Sequence, residues 1–258
     1  MPLKSRVLVV SCGPGSEALA AARAVGDNGR VRATDKSDAM VAVCRDQAHK
    51  AGFVSMVCEQ ADASDTEGGP WDAILCAFGL WQLEDRPATL AAWAKALAPR
   101  GKVAVVTWGP PDPDGPFERL ARALAELEPK RAVPPTHVQA DRDAMSAMFE
   151  EAGLALVRHT VVRHTLTFKT AEHFVRALRE ACTWRRVWEE LGDERLDRVA
   201  AKFYAQVGGP DAPLSFSPPA TIAVAGHPGA EVELAHRPSV RVPAITLPPG
   251  GSSKPPKP

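Results

Sequence analysis

Tyrosine is almost missing from this chain. Its 258 residues include only Tyr204, and Ala-Gln-Val-Gly follows it, so the Tyr-x-x-x-Lys pair of short-chain dehydrogenases is excluded. Net charge is missing too: 31 Lys and Arg balance 31 Asp and Glu. The segment 1–110 is balanced separately, with 12 charges of each sign. A nucleic-acid binder would show a basic footprint, and none is present. No apolar run reaches the roughly 20 residues of a membrane span. The apolar stretch Val7–Val10 near the N-terminus is too short for the core of a signal peptide. The five cysteines form no C-x-x-C pair, and an odd number suits reduced thiols. These absences lead to the expectation of a soluble, cytoplasmic protein without nucleic-acid partners.

What is present is an alternation of strand and helix signals. Arg6–Ser11 carries the run VLVV, which suits a strand buried on both faces. A glycine-rich turn follows, then a helix with Ala18, Leu19, Ala22 and Val25 on one face. Further strands are predicted at Val31–Thr34, Phe53–Glu59, Asp72–Phe78 and Lys102–Trp108. Between them lie a helix capped by Ser37 and another starting near Asp85, with Pro87 in its first turn. Crossovers of this length imply a parallel sheet covered on both sides. After Gly109 the rhythm changes, and seven prolines fall within 110–135 around one helical stretch, Phe117–Leu127. A helix near Arg142–Ala152, a strand or hairpin arm over Leu154–Phe168, and helices over Ala171–Ala181 and Trp184–Val207 come next. Ala220–Ala225 reads as a last strand, and 227–258 holds eight prolines, too polar and interrupted to order itself. The division expected is a core at 1–109, an insertion forming a cap at 110–140, completion of the sheet with a helical cap at 141–226, and a Pro-rich tail at 227–258.

Ser11-Cys12-Gly13-Pro14-Gly15 sits between a buried strand and a helix. Glycines there let the backbone turn sharply and approach a ligand, and the helix start offers free amides. Asp35 follows about 20 residues on, at the end of the second strand, where a carboxylate can accept both hydroxyls of a ribose. A nucleoside-type cofactor follows from loop and acid together. NAD(P) and S-adenosylmethionine both fit that pair. Three features favour the second: the missing Tyr-x-x-x-Lys, the acid in Glu59-Gln60-Ala61-Asp62-Ala63, and the run Ala77-Phe78-Gly79-Leu80-Trp81 before an Asp85-capped helix.

Residues 6–109 resemble class I S-adenosylmethionine-dependent methyltransferases of the small-molecule type, related to the ubiquinone/menaquinone C-methyltransferases. The resemblance rests on VLVVSCGPG, ATDKSDAM, CEQADASD, WDAILCAFGLWQLEDRP and LAPRGKVAVVTW, in order. It implies a Rossmann-like, doubly wound, mostly parallel seven-stranded α/β sheet with S-adenosyl-L-methionine as cofactor. By the same resemblance Ser11, Gly13 and Gly15 form the loop passed by the methionine part, and Asp35 holds the ribose. Lys36 and Met40 flank the adenine, Asp62 and Ala63 meet its edge, and Phe78 lies near the sulfonium. Two positions depart from the family pattern VLDLGCGTG: Val9 replaces an acid and Ser11 a glycine. The family's preceding helices are also missing before the first strand.

For the acceptor, Trp81, Trp108, His137 and Trp184 are the candidate substrate contacts, and His137 is the one weak candidate for a proton acceptor. Trp184 and Trp188, four apart on a helix, suit either a core or a substrate-facing cap. His159 and His164 fall on opposite faces of a continuous strand, so no metal is expected. Arg176, Arg179, Arg185 and Arg186 read as a solvated face or as a site for an anion. The leading reading is methyl transfer to a small organic acceptor by a monomer or homodimer. A non-catalytic binding or scaffold subunit is the alternative, with an NAD(P)-dependent oxidoreductase behind it.

Overall fold

The computed structural model describes residues 3–131, 140–180 and 182–229. The run VLVV forms β1 (Arg6–Val10), whose Val7–Val10 side chains are all buried. Period-two alternation sends them into two different cores. Leu8 and Val10 join Ile74, Trp93 and Phe149, while Val7 and Val9 join Ala18, Leu19, Val41 and Cys44. The first core lies against α3 (Arg86–Ala96) and α5 (Arg142–Glu151), the second against α1 (Ser16–Val25) and α2 (Asp38–Lys50). Helices therefore cover both faces of the strand, which is why the run contains no polar residue.

The sheet is completed by β2 (Arg30–Asp35), β3 (Met56–Gln60), β4 (Trp71–Ala77), β5 (Leu97–Trp108), β6 (Ala155–Arg163) and β9 (Pro219–Gly226). Its order is β3-β2-β1-β4-β5-β9-β6. Pairings from β3 through β5 are parallel, and β9 runs antiparallel to both its neighbours. The fold is thus the mostly parallel, seven-stranded α/β arrangement that the alternation implied.

Three elements differ from the sequence reading. β5 begins at Leu97, ahead of Pro99, because Leu97 pairs with Trp71 across an irregularity between Trp71 and Ala73. Its pairing with β9 starts only at Lys102, so Pro99 breaks no ladder on that side. β3 starts at Met56 rather than Phe53, since the amides of Phe53 and Met56 are spent on a turn closing α2. The arm over 154–168 splits into β6 and β7 (Leu166–Phe168), and β7 pairs with β8 (Leu214–Phe216) in a separate two-stranded sheet.

The chain divides into two compact units. The first holds the described residues of 1–112, 134–163 and 218–233, and the second those of 113–133 and 164–217. The second unit contains α4 (Pro116–Leu127), α6 (Ala171–Glu180), α7 (Cys182–Leu191) and α8 (Asp193–Val207) with the small sheet. Its core joins Leu120, Leu124, Phe174, Val199 and Phe203 with the pair Trp184 and Trp188. Those two indoles stack at 4.9 Å between centroids. Leu191 and Asp193 flank Gly192, which takes φ 74° and splits the stretch 184–207 into two helices.

Candidate functional site

Five parallel strands, β1 to β5, end on one edge of the sheet, and the loops that follow the first four carry most of the candidate residues. After β1 the backbone enters the left-handed region at Ser11 (φ 50°), Gly13 (φ 51°) and Gly15 (φ 97°). The Cys12 amide donates to the Thr34 carbonyl at 2.9 Å, tying the loop to β2, and the Gly15 amide donates back to Cys12 at 2.9 Å. A Cβ on Gly15 would sit 2.7 Å from Cys44 Sγ, so loop and α2 can approach only with glycine there. A Cβ on Gly13 would meet no atom within 4 Å, so the loop faces open space at that point. Gly15 caps α1 without a side-chain acceptor, which leaves first-turn amides for a ligand.

Asp35 anchors this loop. One carboxylate oxygen accepts the Gly13 amide at 2.9 Å and the other accepts the Ser37 amide at 2.9 Å. An ionised carboxylate has about four lone-pair sites, so two remain for a ligand's hydroxyls. Next along the chain, Lys36 Nζ lies 3.0 Å from Asp62 and 3.3 Å from Glu84. The Gln60 side chain donates to the Lys36 carbonyl at 2.9 Å. Met40 is partly exposed on α2, and its amide donates to the Ser37 hydroxyl at 3.4 Å.

Asp62 follows β3, and one of its oxygens accepts both the Ser64 hydroxyl, at 2.7 Å, and the Ser64 amide, at 2.8 Å. Those bonds, with Lys36 behind them, lower the Asp62 pKa to about 2, so it stays ionised. Ala63 is buried, and its carbonyl accepts the Trp93 indole N–H at 2.7 Å. After β4, Phe78 takes φ 55° while its amide donates to Val106 at 2.7 Å. Its ring packs on Trp108 at 4.7 Å, bringing one cofactor candidate and one substrate candidate together. Trp81 lies in the short helical turn Leu80–Gln82 that follows.

Beneath the loop, Cys44 and Cys58 bring their sulfurs within 3.3 Å. Burial first, then the neighbouring Cys44 thiol, pushes Cys58 up to about 12, so it stays protonated near neutrality. Burial also raises the Glu17 pKa in the first turn of α1. The reading of the sequence passed over Glu17, Ser64 and Glu84, and took Ser37 only as a helix cap. Ser37 and Ser64 stand two residues after Asp35 and Asp62, the spacing at which Asp side chains accept local amides; nothing local marks Glu84.

The remaining candidates stand on other elements. Trp184 is 5% exposed within the second unit's core. His137 lies outside the described residues. His159 Nε2 is 3.0 Å from the Ala140 carbonyl, and His164 falls beyond the end of β6. Among the described residues no group of three or more His, Cys, Asp and Glu could hold a metal ion.

The methyltransferase domain family matches residues 7–101. The ubiquinone/menaquinone biosynthesis C-methyltransferase UbiE of Shewanella halifaxensis is 26% identical over 176 residues, covering 60% of this chain and 68% of that protein. UbiE of Teredinibacter turnerae is 37% identical over 109 residues, which span 41% of this chain and 44% of the relative. In fold, the chain is similar to the YcgJ protein from Bacillus subtilis, with a TM-score of 0.57 and 21% identity over 88% of this chain and 94% of that one.

Proposed function

The chain belongs to the class I S-adenosylmethionine-dependent methyltransferases, and from that premise we propose that it methylates a small organic acceptor from the loop edge of its sheet. The observation that carries the proposal is Asp35, which fixes the glycine loop through Gly13 and retains unused lone pairs beside open space. Those features suit a ribose with two adjacent hydroxyls. In this reading Ser11, Gly13 and Gly15 take the methionine portion, and Lys36 and Met40 flank the adenine. Asp62 and Ala63 meet its edge, and Phe78 lies beside the sulfur.

Bound there, the cofactor supplies a methyl group on a positively charged sulfur, already activated for displacement. The protein's task is then alignment and exclusion of water. Proximity and orientation together supply about 7–11 kcal/mol of a barrier. The fixed backbone of the Ser11–Gly15 loop orients one end of the cofactor, while Asp35 and the ionised Asp62 hold the other. The Phe78–Trp108 pair provides an apolar wall on which water gains little. The related UbiE proteins are C-methyltransferases of ubiquinone and menaquinone biosynthesis by name, which puts quinone-type carbon acceptors first in a panel, with phenols and amines after them. Among the described residues no helix is long and apolar enough to cross a membrane, and a cytoplasmic monomer or homodimer in small-molecule metabolism completes the proposal.

The test is calorimetry with S-adenosylhomocysteine on Asp35→Ala. Each hydrogen bond to a charged group is worth about 1.5–3 kcal/mol, so affinity is expected to fall at least about tenfold. Asp35→Asn, which still accepts an amide, is expected to lose less. Unchanged affinity in a folded Asp35→Ala variant refutes the assignment. Wild-type protein that binds NADH and ignores S-adenosylhomocysteine restores the oxidoreductase reading. Absence of methylated product across the panel returns the scaffold.

A further inference from the structure

The second unit contains a cavity of about 490 Å3 that the methyl-transfer reading does not use. That size lies within the ordinary range of small-molecule sites. It opens between α6 and α8, beside Pro210 and Asp211 in the chain after α8. Its floor is apolar: Val175, Leu196 and Ala200 line it and are buried.

The walls carry both charges. Glu172, Asp197 and Asp211 supply carboxylates, and Arg176 and Arg179 supply guanidiniums. These groups are poorly matched to one another. Glu172 and Arg176 stand one turn apart on α6, the spacing at which opposite charges pair. Yet Glu172, Arg176 and Asp211 form no ion pair with any described residue. Arg179 reaches Asp193 only at 3.7 Å and Asp197 only at 4.0 Å, both longer than a charge-assisted hydrogen bond. Tyr204, the chain's one tyrosine, adds a hydroxyl to the lining. Burial and the nearby Glu172 and Asp197 keep that hydroxyl protonated, and so able to donate.

An anion alone would face three carboxylates there, and a cation alone would face two guanidiniums. We propose that this cavity binds a small zwitterion, an α-amino acid with an apolar side chain. Its carboxylate meets Arg176 and Arg179, its ammonium lies among Glu172, Asp197 and Asp211, and its side chain covers Val175, Leu196 and Ala200.

The test is calorimetric titration of the full chain with L-leucine, L-methionine and L-phenylalanine. N-acetyl-L-leucine and L-leucinamide, which lack one charge each, serve as controls. S-adenosylhomocysteine carries an amino-acid head itself, so each titration is run with and without it at saturation. At least one free amino acid is expected to bind in both conditions. Each control should bind at least about tenfold more weakly than leucine if leucine binds. Arg176→Gln and Glu172→Gln, whose side chains are exposed, should fold normally and each weaken binding about threefold to tenfold, while affinity for S-adenosylhomocysteine stays unchanged. No binding by any of the three up to about 10 mM overturns the proposal. So does binding that both variants leave unaltered, or that saturation with S-adenosylhomocysteine abolishes. Loss of S-adenosylhomocysteine binding alone would count against the methyltransferase assignment and leave this site standing.

Discussion

Ser11 and Gly79 offer a quantitative check on how the glycine loop is built. Ser11 occupies the left-handed region at φ 50°, which costs a residue with a Cβ roughly 1–2 kcal/mol. Replacing it with glycine removes that strain but frees the unfolded chain, an opposing effect of about 0.4–1 kcal/mol. Ser11→Gly is therefore expected to stabilise by roughly 0.5–1 kcal/mol. Gly79 is its neighbour across the strands. A Cβ at Gly79 would stand 2.6 Å from Ser11 Cβ, 2.8 Å from Ser11 Oγ and 3.2 Å from Cys76 Sγ. The Gly79 backbone itself, at φ −100°, accepts any residue. Gly79→Ala should thus cost about 1–3 kcal/mol purely through overpacking.

In the double variant both of the shortest contacts vanish, because both belong to the Ser11 side chain. Only Cys76 Sγ remains, and it needs to yield by a few tenths of an ångström. The cost of Gly79→Ala should fall below about 1 kcal/mol in the Ser11→Gly background, a coupling of about 1–2 kcal/mol. Urea unfolding of the four proteins measures the cycle directly. Additivity within about 0.5 kcal/mol would show that Ser11 and Gly79 do not press on one another. Calorimetry on the same four proteins adds a functional readout, with Gly79→Ala expected to weaken S-adenosylhomocysteine and the double variant to regain part of it.

Trp184→Ala should destabilise by about 3–5 kcal/mol, because a 5%-exposed indole stacked on Trp188 leaves a large hole; a loss under about 1 kcal/mol in urea unfolding would mean that the site collapses or that the stack is absent. Asp62 has a folded pKa lowered to about 2 from 3.8. A depressed carboxylate stabilises above its unfolded value, so this contribution is present at neutrality and is lost as pH falls from about 4 to about 2. Ser64→Ala should raise the Asp62 titration seen by NMR more than Lys36→Met does, since the Ser64 hydroxyl is the largest cause; the reverse order would make Lys36 the controlling group.

The fold was legible where one signal had one meaning. Val7–Val10 could only be a strand covered on both faces, and Ser37 and Asp85 accept the amides of Met40 and Ala88 as helix caps should. Reading failed where context decided. β8 is three residues long and has no pattern of its own; it exists because β7 offers Leu166–Phe168 as a partner. Trp184 and Trp188 carry the same spacing whether they face a core or a ligand, and burial alone separates the two. Asp35 could be found because a motif places it, whereas Glu84 joins Lys36 from 48 residues away through a contact that only the tertiary structure supplies. The substitution of Ser11 for a glycine was visible, but its cost was not, since φ is a property of the fold.

Strand order explains why the candidate residues are so far apart in sequence and so close in space. β3, β2, β1 and β4 are consecutive and parallel, so their carboxyl ends share one edge. Adjacent strands lie about 4.8 Å apart, so loops starting at 11, 35, 61 and 78 fall within roughly 15 Å of one another. Each interval, of 17 to 26 residues, is one crossover that returns the chain to the same edge. β9 breaks the series. Running antiparallel, it brings its first residue, Pro219, to the end of β5, where the Pro219 carbonyl accepts the Gly109 amide at 2.8 Å. Its carboxyl end, Gly226, pairs instead with Lys102 at the opposite edge. Residues 227–229 therefore follow the sheet edge opposite the glycine loop, whereas Asp35 ends β2 and Asp62 follows β3 on the loop edge.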